Sequence, residues 1–438
     1  MKVVLIVLDT LRRDHLSCYG YQRNTSPNID KFARDGIIFD NEYTSDVPTI
    51  PSFTAMLNGQ LGIKTGVVSF NPTELLFNEV QSLPYILSRN GIVTAAVSTL
   101  FYMRSWFVRG FQYYMNPLAG FRERTQTVDA EEINLMAIPW LEQNYDKNFF
   151  LFVHYWDPHV ESVWGSPSLP YRYKAPERFR NKWYEGEPED PASKEYRISQ
   201  YDANITYADE EIGKLLETID DLGITDETLV IFTTDHGESL GDDHPQGKDD
   251  WDHGDIYEEI VHTPLIMRYP KIFPKGKRID DIVLNIDIAP TILDVFGLSA
   301  PKDFDGKSLL PLINGDAKGY ECVYVSCGFF TVKRAVITQE KMKFIRTFDK
   351  AKWKDAPEKE LFDLKKDPYE KNNIIDEQKD IAENLEIRMC KWVDSMLGSR
   401  PDPLRLRATM GRVRPAVPYY SYVFGPRSPE YMAYTASP

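Results

Sequence analysis

Continuous apolar runs separated by amphipathic stretches alternate along most of the chain. The runs cover residues 3–8, 93–98, 149–154 and 228–233, with shorter ones at 265–268 and 282–284. Residues 37–43 form a further extended segment. Unbroken apolar runs are typical of strands that are buried on both faces of a parallel sheet. Helical periodicity falls between them, at 26–34, 80–89, 127–143, 193–222 and 286–296. Repeated strand–helix units of this kind predict a doubly wound α/β fold with a mostly parallel sheet.

The pattern changes beyond about residue 319, where short apolar segments favour an antiparallel sheet. These segments cover 323–326, 335–338 and 343–346, and a helical pattern follows at 378–396. We therefore predict a larger α/β domain over 1–318, a smaller C-terminal α+β subdomain over 319–398, and an extended tail over 399–438. The tail is rich in Pro, Arg and Tyr. Because disordered tails are usually poor in aromatic residues, we expect an arm that joins copies into a homo-oligomer.

Residues 46–59 have the pattern of a loop that ends in a short helix. Pro51 suits a first helical position and Gly59 can end the helix. Thr49 would then lie just ahead of a helix N-terminus, where unpaired N–H groups favour an anion. A hydroxyl in this place can become a nucleophile when a metal lies beside it. A plain N-cap is the commoner role of such a threonine, and this segment alone leaves both interpretations open.

Polar side chains stand at the ends of two of the predicted buried strands. Asp9 ends the first apolar run, and Asp235 and His236 follow the run at 228–233. Open α/β sheets bind their ligands at the carboxyl ends of strands. Taken singly, Asp9 fits a helix cap or a turn, and the later pair fits an Asx turn. Taken together with Thr49, two carboxylates and an imidazole predict a shell for a divalent cation.

Composition and charge indicate which kinds of partner and which compartment suit the protein. A net charge of −15 without a basic run excludes a nucleic-acid surface. No apolar run approaches the roughly 18 residues that cross a bilayer, and no signal-peptide pattern precedes the first strand. The four cysteines show no metal-binding spacing, which suits a reducing compartment. We expect a soluble, cytoplasmic protein with no nucleic-acid or membrane partner.

The order and spacing of the motifs resemble those of the alkaline phosphatase/sulfatase superfamily, specifically its sulfatase-like branch, over roughly residues 2–397. The motifs are VLDTLRRD (7–14), CYG (18–20), SPNID (26–30), TIPS (49–52), LNG (57–59), TDHGE (234–238), LG (240–241), YEE (257–259), TPL (263–265), ELFDL (360–364), DP (367–368) and NN (372–373). The resemblance implies an alkaline phosphatase-like α/β/α sandwich and a hydrolase that acts on a small-molecule ester.

The nucleophile motif departs from the sulfatase pattern. Sulfatases make formylglycine from the Cys or Ser of a Cys/Ser-x-Pro-x-Arg motif, whereas this chain has Thr49 at the first position and Phe53 at the last. Formylglycine therefore cannot form by that route. Threonine here resembles phosphorus-handling relatives, namely nucleotide pyrophosphatases, phosphonoacetate hydrolase and the lipoteichoic-acid phosphoglycerol transferases.

The resemblance also implies a metal centre. Its ligands would be Asp9, Thr49, Asp235 and His236, and Thr10 stands where many sulfatases have a second aspartate. This set resembles that of single-metal members, so we expect one divalent ion, which is Mn²⁺, Ca²⁺, Mg²⁺ or Zn²⁺. A second metal is possible but not favoured. Its candidate ligands are Asp157, His159, His244 and His253.

Further residues are candidates for substrate contact. His159 resembles the family histidine that touches the leaving group, and His253 matches a lysine that sulfatases place on the sulfate. We assign catalysis to Thr49, His159 and His253, although each histidine also fits an ordinary surface or turn role. Substrate binding is assigned to His159 and His253, together with two weaker candidates, Lys248 and Thr10.

Three hypotheses for function follow. The first is a metal-dependent hydrolase of phosphoric or phosphonic esters, of the phosphodiesterase or phosphonate monoesterase type, that acts through a covalent Thr49 intermediate. The alternative is a sulfuric ester hydrolase that uses unmodified Thr49. The third is a catalytically silent binding protein of the same fold. The aperiodic segment at 157–192, rich in aromatic and charged residues, fits a substrate loop or a packed lid.

Overall fold

The computed structural model describes residues 1–71, 73–117, 128–159, 175–180, 182–186, 188–190, 193–242, 244, 253–350 and 355–409. The strands are β1 (Lys2–Leu8), β2 (Ile37–Tyr43), β3 (Asp46–Val47), β4 (Val93–Val97), β5 (Tyr113–Met115), β6 (Phe149–Tyr155), β7 (Thr228–Thr233), β8 (His262–Arg268), β9 (Lys277–Leu284), β10 (Cys322–Gly328), β11 (Val332–Thr338), β12 (Met342–Asp349) and β13 (Lys359–Asp363).

Helices connect most of these strands. They are α1 (Pro27–Arg34), α2 (Thr49–Asn58), α3 (Gly62–Thr65), α4 (Leu83–Arg89), α5 (Ala130–Asn144), α6 (Glu177–Arg180), α7 (Lys194–Asp221), α8 (Glu258–Val261), α9 (Ile288–Val295), α10 (Leu310–Asn314), α11 (Lys379–Leu397) and α12 (Pro403–Thr409). Short 3₁₀ turns cover Arg13–His15, Ser17–Tyr19, Leu100–Tyr102, Ser105–Val108, Thr225–Glu227 and Asn285–Asp287.

The larger sheet has the strand order β5-β4-β6-β1-β7-β8-β2-β9. All neighbours in it are parallel except β8, which runs antiparallel to both β7 and β2. Every residue of β1, β6 and β7 is buried, as expected for strands covered on both faces. The helices beside this sheet pack in two groups, α1 with α5, α6 and α7, and α2 with α4 and α9. The predicted α/β fold with a mostly parallel sheet is confirmed.

The smaller sheet has the order β13-β12-β11-β10-β3. Strands β10 to β13 pair antiparallel, as predicted for the C-terminal region. Strand β3 joins them from far upstream, because Asp46 and Val47 pair in parallel with Ser326 and Cys327 of β10. The domain boundary at residue 318 stays a prediction, and the second sheet takes backbone from both sides of it.

Several elements differ from the sequence-based expectation. Strand β8 is longer than the predicted segment at 265–268, and β13 was not predicted. Proline inside a helical pattern predicts a kink or a break, but helix α5 continues past Pro139 to Asn144, so no break occurs there. The first part of the tail is not extended, since residues 403–409 form α12, with Leu404 fully buried.

Some expectations fall outside the described residues. These are Lys248, most of the segment at 157–192, and the tail beyond residue 409, so the lid and the oligomerisation arm stay predictions. Among the helices that the structure describes, none combines the length and the apolar composition that crossing a membrane requires.

Candidate active site

Three neighbouring parallel strands bring the candidate residues together at their carboxyl ends. Strand β1 lies between β6 and β7. Asp9 follows the last residue of β1, His154 is the penultimate residue of β6, and Asp235 comes two residues after β7. All three side chains are fully buried. The sheet topology therefore places the site where open α/β sheets bind ligands.

In each of the two aspartates, one carboxylate oxygen accepts hydrogen bonds within the described part of the chain and the other does not. Asp235 Oδ1 accepts hydrogen bonds from the backbone N–H groups of Thr10 (3.1 Å) and His236 (2.9 Å). Asp9 Oδ2 lies 3.1 Å from His154 Nε2. The remaining oxygens, Asp9 Oδ1 and Asp235 Oδ2, are buried and accept no hydrogen bond from the described residues. Buried carboxylate oxygens of this kind are costly unless a positive charge faces them.

Electrostatics indicate the same need for a cation. Burial raises the pKa of Asp9 well above its ordinary value, and the negative charges of Asp235 and Glu238 raise it further. Glu238 Oε1 is a third buried carboxylate oxygen without a hydrogen-bond donor in the part of the chain that the structure describes. A divalent cation would offset this concentration of negative charge, so the residues present fit the metal that the sequence predicts.

His236 connects this acidic cluster to Thr49. Its Nδ1 donates to the carbonyl oxygen of Gly237 at 2.8 Å, which leaves a lone pair on Nε2. That nitrogen lies 3.2 Å from Thr49 Oγ1 and 3.2 Å from Asp235 Oδ2. Burial lowers the pKa of His236, so the imidazole is neutral, as a metal ligand must be. The structure thus brings together Asp9, Thr49, Asp235 and His236, the four ligands predicted from the sequence.

Helix α2 begins two residues earlier than expected. Thr49 is its first residue and Pro48 precedes it, so Pro51 is the third helical residue. No side-chain capping bond is made at this end, and the interpretation of Thr49 as an N-cap is wrong. The helix is instead tied to the strand end by Ser52, whose hydroxyl donates to the carbonyl oxygen of Asp235 at 2.7 Å. Thr49 therefore lies at the positive end of the α2 dipole, beside the acidic cluster.

Two further histidines stand next to His236. The ring of His253 stacks on that of His236, with centroids 4.7 Å apart, and the ring of His159 lies 5.5 Å from His253. His253 Nδ1 is 3.2 Å from Glu238 Oε2. The two predicted catalytic histidines are thus adjacent to each other, and His253 connects them to the candidate ligand His236.

Thr10 adopts a backbone conformation that is unusual for a β-branched residue. Its φ is 53°, in the left-handed region. The geometry is held from both sides, because its N–H bonds Asp235 and its carbonyl accepts the Tyr201 hydroxyl at 2.7 Å. Strain of this kind concentrates at functional sites. The Thr10 hydroxyl is buried and forms no hydrogen bond within the described residues, so its substrate-binding role stays a prediction.

The candidates for a second metal are engaged elsewhere or in the same cluster. Asp157 Oδ1 accepts the N–H of Ala130 at the start of α5, at 3.1 Å. His244 Nε2 lies 2.7 Å from Glu259, and its ring stacks on Tyr257 at 3.9 Å. Across the described ranges, no group of three or more His, Cys, Asp or Glu side chains is arranged so as to hold a metal ion. The fit of the acidic cluster to a cation therefore rests on its charge and on its buried carboxylate oxygens.

Sequence reasoning missed two residues of the site. His154 was placed at the end of a predicted strand but received no role, although a polar residue at that position of a buried strand is the same signal that identified Asp9. Burial lowers the pKa of His154 to about 3, so its ring is neutral. Glu238 belongs to the TDHGE motif, and only the structure shows that it contacts His253.

Comparisons with known proteins agree with this architecture. A family model described as Sulfatase matches residues 2–298, and one described as N-sulphoglucosamine sulphohydrolase, C-terminal, matches residues 248–395. The N-acetylglucosamine-6-O-sulfatase of Bacteroides thetaiotaomicron is 25% identical over 90% of this chain and 87% of its own. The arylsulfatase of Clostridium perfringens is 25% identical over 86% and 90%.

Solved structures share the fold. A protein in complex with its substrate D-glucosamine-2-N,6-O-disulfate superposes with a TM-score of 0.73 at 22% identity, over 92% of this chain and 99% of that one. The phosphonate monoester hydrolase of Agrobacterium radiobacter superposes with a TM-score of 0.69 at 18% identity, over 90% and 96%. A protein with a sulfated sugar as its substrate and a phosphonate monoester hydrolase thus share this fold.

Proposed function

The chain belongs to the sulfatase family, and from this premise we propose that it hydrolyses sulfate monoesters with unmodified Thr49 as its nucleophile. That it is an ester hydrolase follows from the family and its relatives. The observation that carries the proposal is the position of Thr49 Oγ1. It is 3.2 Å from His236 Nε2 and stands beside two buried aspartates, each with one oxygen that no described residue hydrogen-bonds. Relatives named as sulfatases put sulfate esters ahead of the phosphoric and phosphonic esters that the sequence placed first.

Sulfatase-family enzymes depend on a divalent metal, and here Asp9, Thr49, Asp235 and His236 would hold it. When bound, such an ion lowers the pKa of a coordinated hydroxyl and withdraws electrons from the ester oxygens. The chain itself supplies the orientation. Helix α2 directs its N-terminus toward the anionic ester, and Thr49 is already its first residue.

The reaction divides into two displacements at sulfur. Thr49 gives its proton to solvent, and its Oγ bonds to sulfur while the bond from sulfur to the leaving oxygen breaks. His159 gives a proton to that oxygen and regains one from solvent, and His253 donates a hydrogen bond to a sulfuryl oxygen while Glu238 holds its Nδ1. Water then attacks sulfur and the bond to Thr49 Oγ breaks. One proton of the water returns to Thr49 Oγ, and hydrogen sulfate leaves.

Sulfated amino sugars are the first substrates to try. One relative is named an N-acetylglucosamine-6-O-sulfatase, and one structural neighbour holds a glucosamine disulfate as its substrate. Phosphonate and phosphate esters are the second candidate. They are favoured by a single observation, namely that Thr49 and Phe53 replace the residues from which formylglycine is made and recognised.

A substrate panel with a matched pair of variants tests the proposal. Metal-free enzyme is given each of the four candidate ions and assayed on glucosamine 6-sulfate and on nitrophenyl sulfate, phosphate, phosphodiester and phenylphosphonate. We expect turnover that requires the ion, that is lost in Thr49→Ala, and that is retained in part in Thr49→Ser. A higher kcat/KM for the phosphorus esters would select the second candidate. Wild-type turnover by Thr49→Ala would overturn the mechanism, and no turnover of any ester would favour the silent binding protein.

A further inference from the structure

A chain of three polar side chains runs away from the acidic cluster into the core. His154 Nε2 lies 3.1 Å from Asp9 Oδ2, and His154 Nδ1 lies 3.2 Å from Ser98 Oγ. All three residues are fully buried. We propose that His154, oriented by Ser98, is a positioning residue that fixes which oxygen of Asp9 faces the metal and thereby sets the affinity for the ion.

The hydrogen-bond partners determine where the protons lie. A carboxylate only accepts hydrogen bonds, so Nε2 of His154 is the nitrogen that carries the hydrogen toward Asp9. Nδ1 is then an acceptor, and the Ser98 hydroxyl can donate to it. Ser98 Oγ also accepts the backbone N–H of Leu100 at 3.1 Å, which fixes the serine oxygen against the backbone. The order of donation is therefore Ser98 to His154 to Asp9.

Aromatic rings enclose the imidazole. Phe53 lies with its centroid 4.7 Å away at an interplanar angle of 64°, Trp156 lies at 4.5 Å, and Phe152 lies at 6.0 Å. These rings exclude water, so Asp9 and Ser98 are the hydrogen-bond partners that remain to the ring among the described residues. Phe53 occupies the position at which the sulfatase motif has arginine. In this chain the space against the imidazole is therefore filled by an apolar ring rather than by a competing cation.

As a consequence, the two oxygens of Asp9 have different partners. Oδ2 is occupied by His154, and Oδ1 is left without a protein donor in the described chain. Asp235 shows the same division, but there the bonds come from backbone N–H groups. The Thr234 hydroxyl adds a longer contact to Asp235 Oδ1, at 3.4 Å. Among the described residues, Asp9 is therefore the aspartate whose short hydrogen bond comes from a side chain, and a substitution can remove that bond. Removing the partner of a metal ligand typically weakens metal binding 10- to 100-fold.

The inference rests on the proposed metal centre, and it is tested without substrate. Mn²⁺ alone is titrated into metal-free protein by calorimetry, with thermal unfolding followed in parallel. We expect His154→Leu to weaken Mn²⁺ binding about 10- to 100-fold. His154→Gln should recover part of this loss, because its amide N–H can replace Nε2–H, and Ser98→Ala should fall between. Each tenfold loss corresponds to about 1.4 kcal/mol, so the melting temperature should rise less on Mn²⁺ addition.

A half-buried histidine outside the site supplies the control. His262 Nε2 bonds the carbonyl of Asp40 at 2.8 Å, and its ring stacks on Tyr43. We expect His262→Gln to change the melting temperature but not the Mn²⁺ affinity. Folded His154→Leu with wild-type affinity would refute the inference. If that variant does not fold, unchanged affinity in Ser98→Ala refutes it. Failure of the wild type to bind Mn²⁺ or Ca²⁺ would refute the metal centre itself.

Discussion

The pair formed by His244 and Glu259 predicts a specific loss of stability at alkaline pH. His244 Nε2 lies 2.7 Å from Glu259 Oε1, and the ring stacks on Tyr257 with an interplanar angle of 7°. Burial alone would lower the pKa of the imidazole. The charge and hydrogen bond of Glu259 outweigh it and raise the pKa to about 9. The protonated imidazole is therefore favoured by the fold.

The direction and the size of the change in the free energy of unfolding follow from the difference between the folded and unfolded pKa values. The unfolded chain titrates His244 near its ordinary value of about 6.5. Because the folded pKa is higher, the stabilisation is complete below about pH 6.5 and is lost as the pH rises through about 9. At about 1.4 kcal/mol per pH unit, the gap between these two values amounts to about 3 kcal/mol.

The assay compares wild type with His244→Gln, which keeps a hydrogen bond to Glu259 but cannot be charged. Urea unfolding of the metal-free proteins is followed by tryptophan fluorescence from pH 6 to pH 10, and the free energies of unfolding are subtracted at each pH. Subtraction removes titrations that both proteins share. We expect the wild-type advantage to shrink by about 3 kcal/mol across the range. A difference that stays constant with pH would refute the reasoning.

Substitutions at three further positions test the site and its support. In Gly237→Ala the added Cβ would lie 1.9 Å from the carbonyl oxygen of Glu259, so the neighbouring candidate ligand His236 must move. The kcat/KM of the ester assay should fall about 100-fold or more, and an unchanged value would contradict the placement of His236 in the site. Glu238→Ala removes the hydrogen-bond partner of His253 and should lower kcat roughly 100-fold. Glu238→Gln keeps an acceptor oxygen and should lower kcat less, and equal losses of kcat would contradict a role of Glu238 in orienting His253. Leu404→Ala opens a cavity under α12, and urea unfolding should show a loss of about 2–5 kcal/mol, a loss that would be absent if α12 were not docked.

The strands were predictable where burial alone defines them. Strands β1, β6 and β7 are unbroken apolar runs, and Asp9 and Asp235 could be assigned to the site because polar residues follow two of these runs directly. The antiparallel direction of β8 could not be read, because strand direction depends on which neighbours a strand meets. The position of His154 at a strand end was visible in the sequence, but its partner was not. Its role follows from β6 lying beside β1, and strand order is a tertiary property.

The class of ester substrate could not be predicted from the motifs for a different reason. The sequence placed phosphoric and phosphonic esters first because of one residue, Thr49, whereas similarity along the whole chain favours sulfate esters. A nucleophile and a cation act on any tetrahedral oxyanion ester. The groups that distinguish sulfur from phosphorus, and one sugar from another, contact the rest of the substrate, and a single motif position does not encode them.

The pairing of β3 with β10 makes the position of the proposed nucleophile, Thr49, depend on both sheets. Val47 is hydrogen-bonded into the second sheet, and Thr49 follows it by two residues. A fragment that ends before β10 would leave the segment ahead of Thr49 without its partner strand, even if the larger sheet assembled. Truncation ahead of β10 should therefore inactivate the enzyme without removing any of the proposed catalytic side chains. Complementation by a separately expressed C-terminal fragment should restore turnover only when that fragment supplies β10.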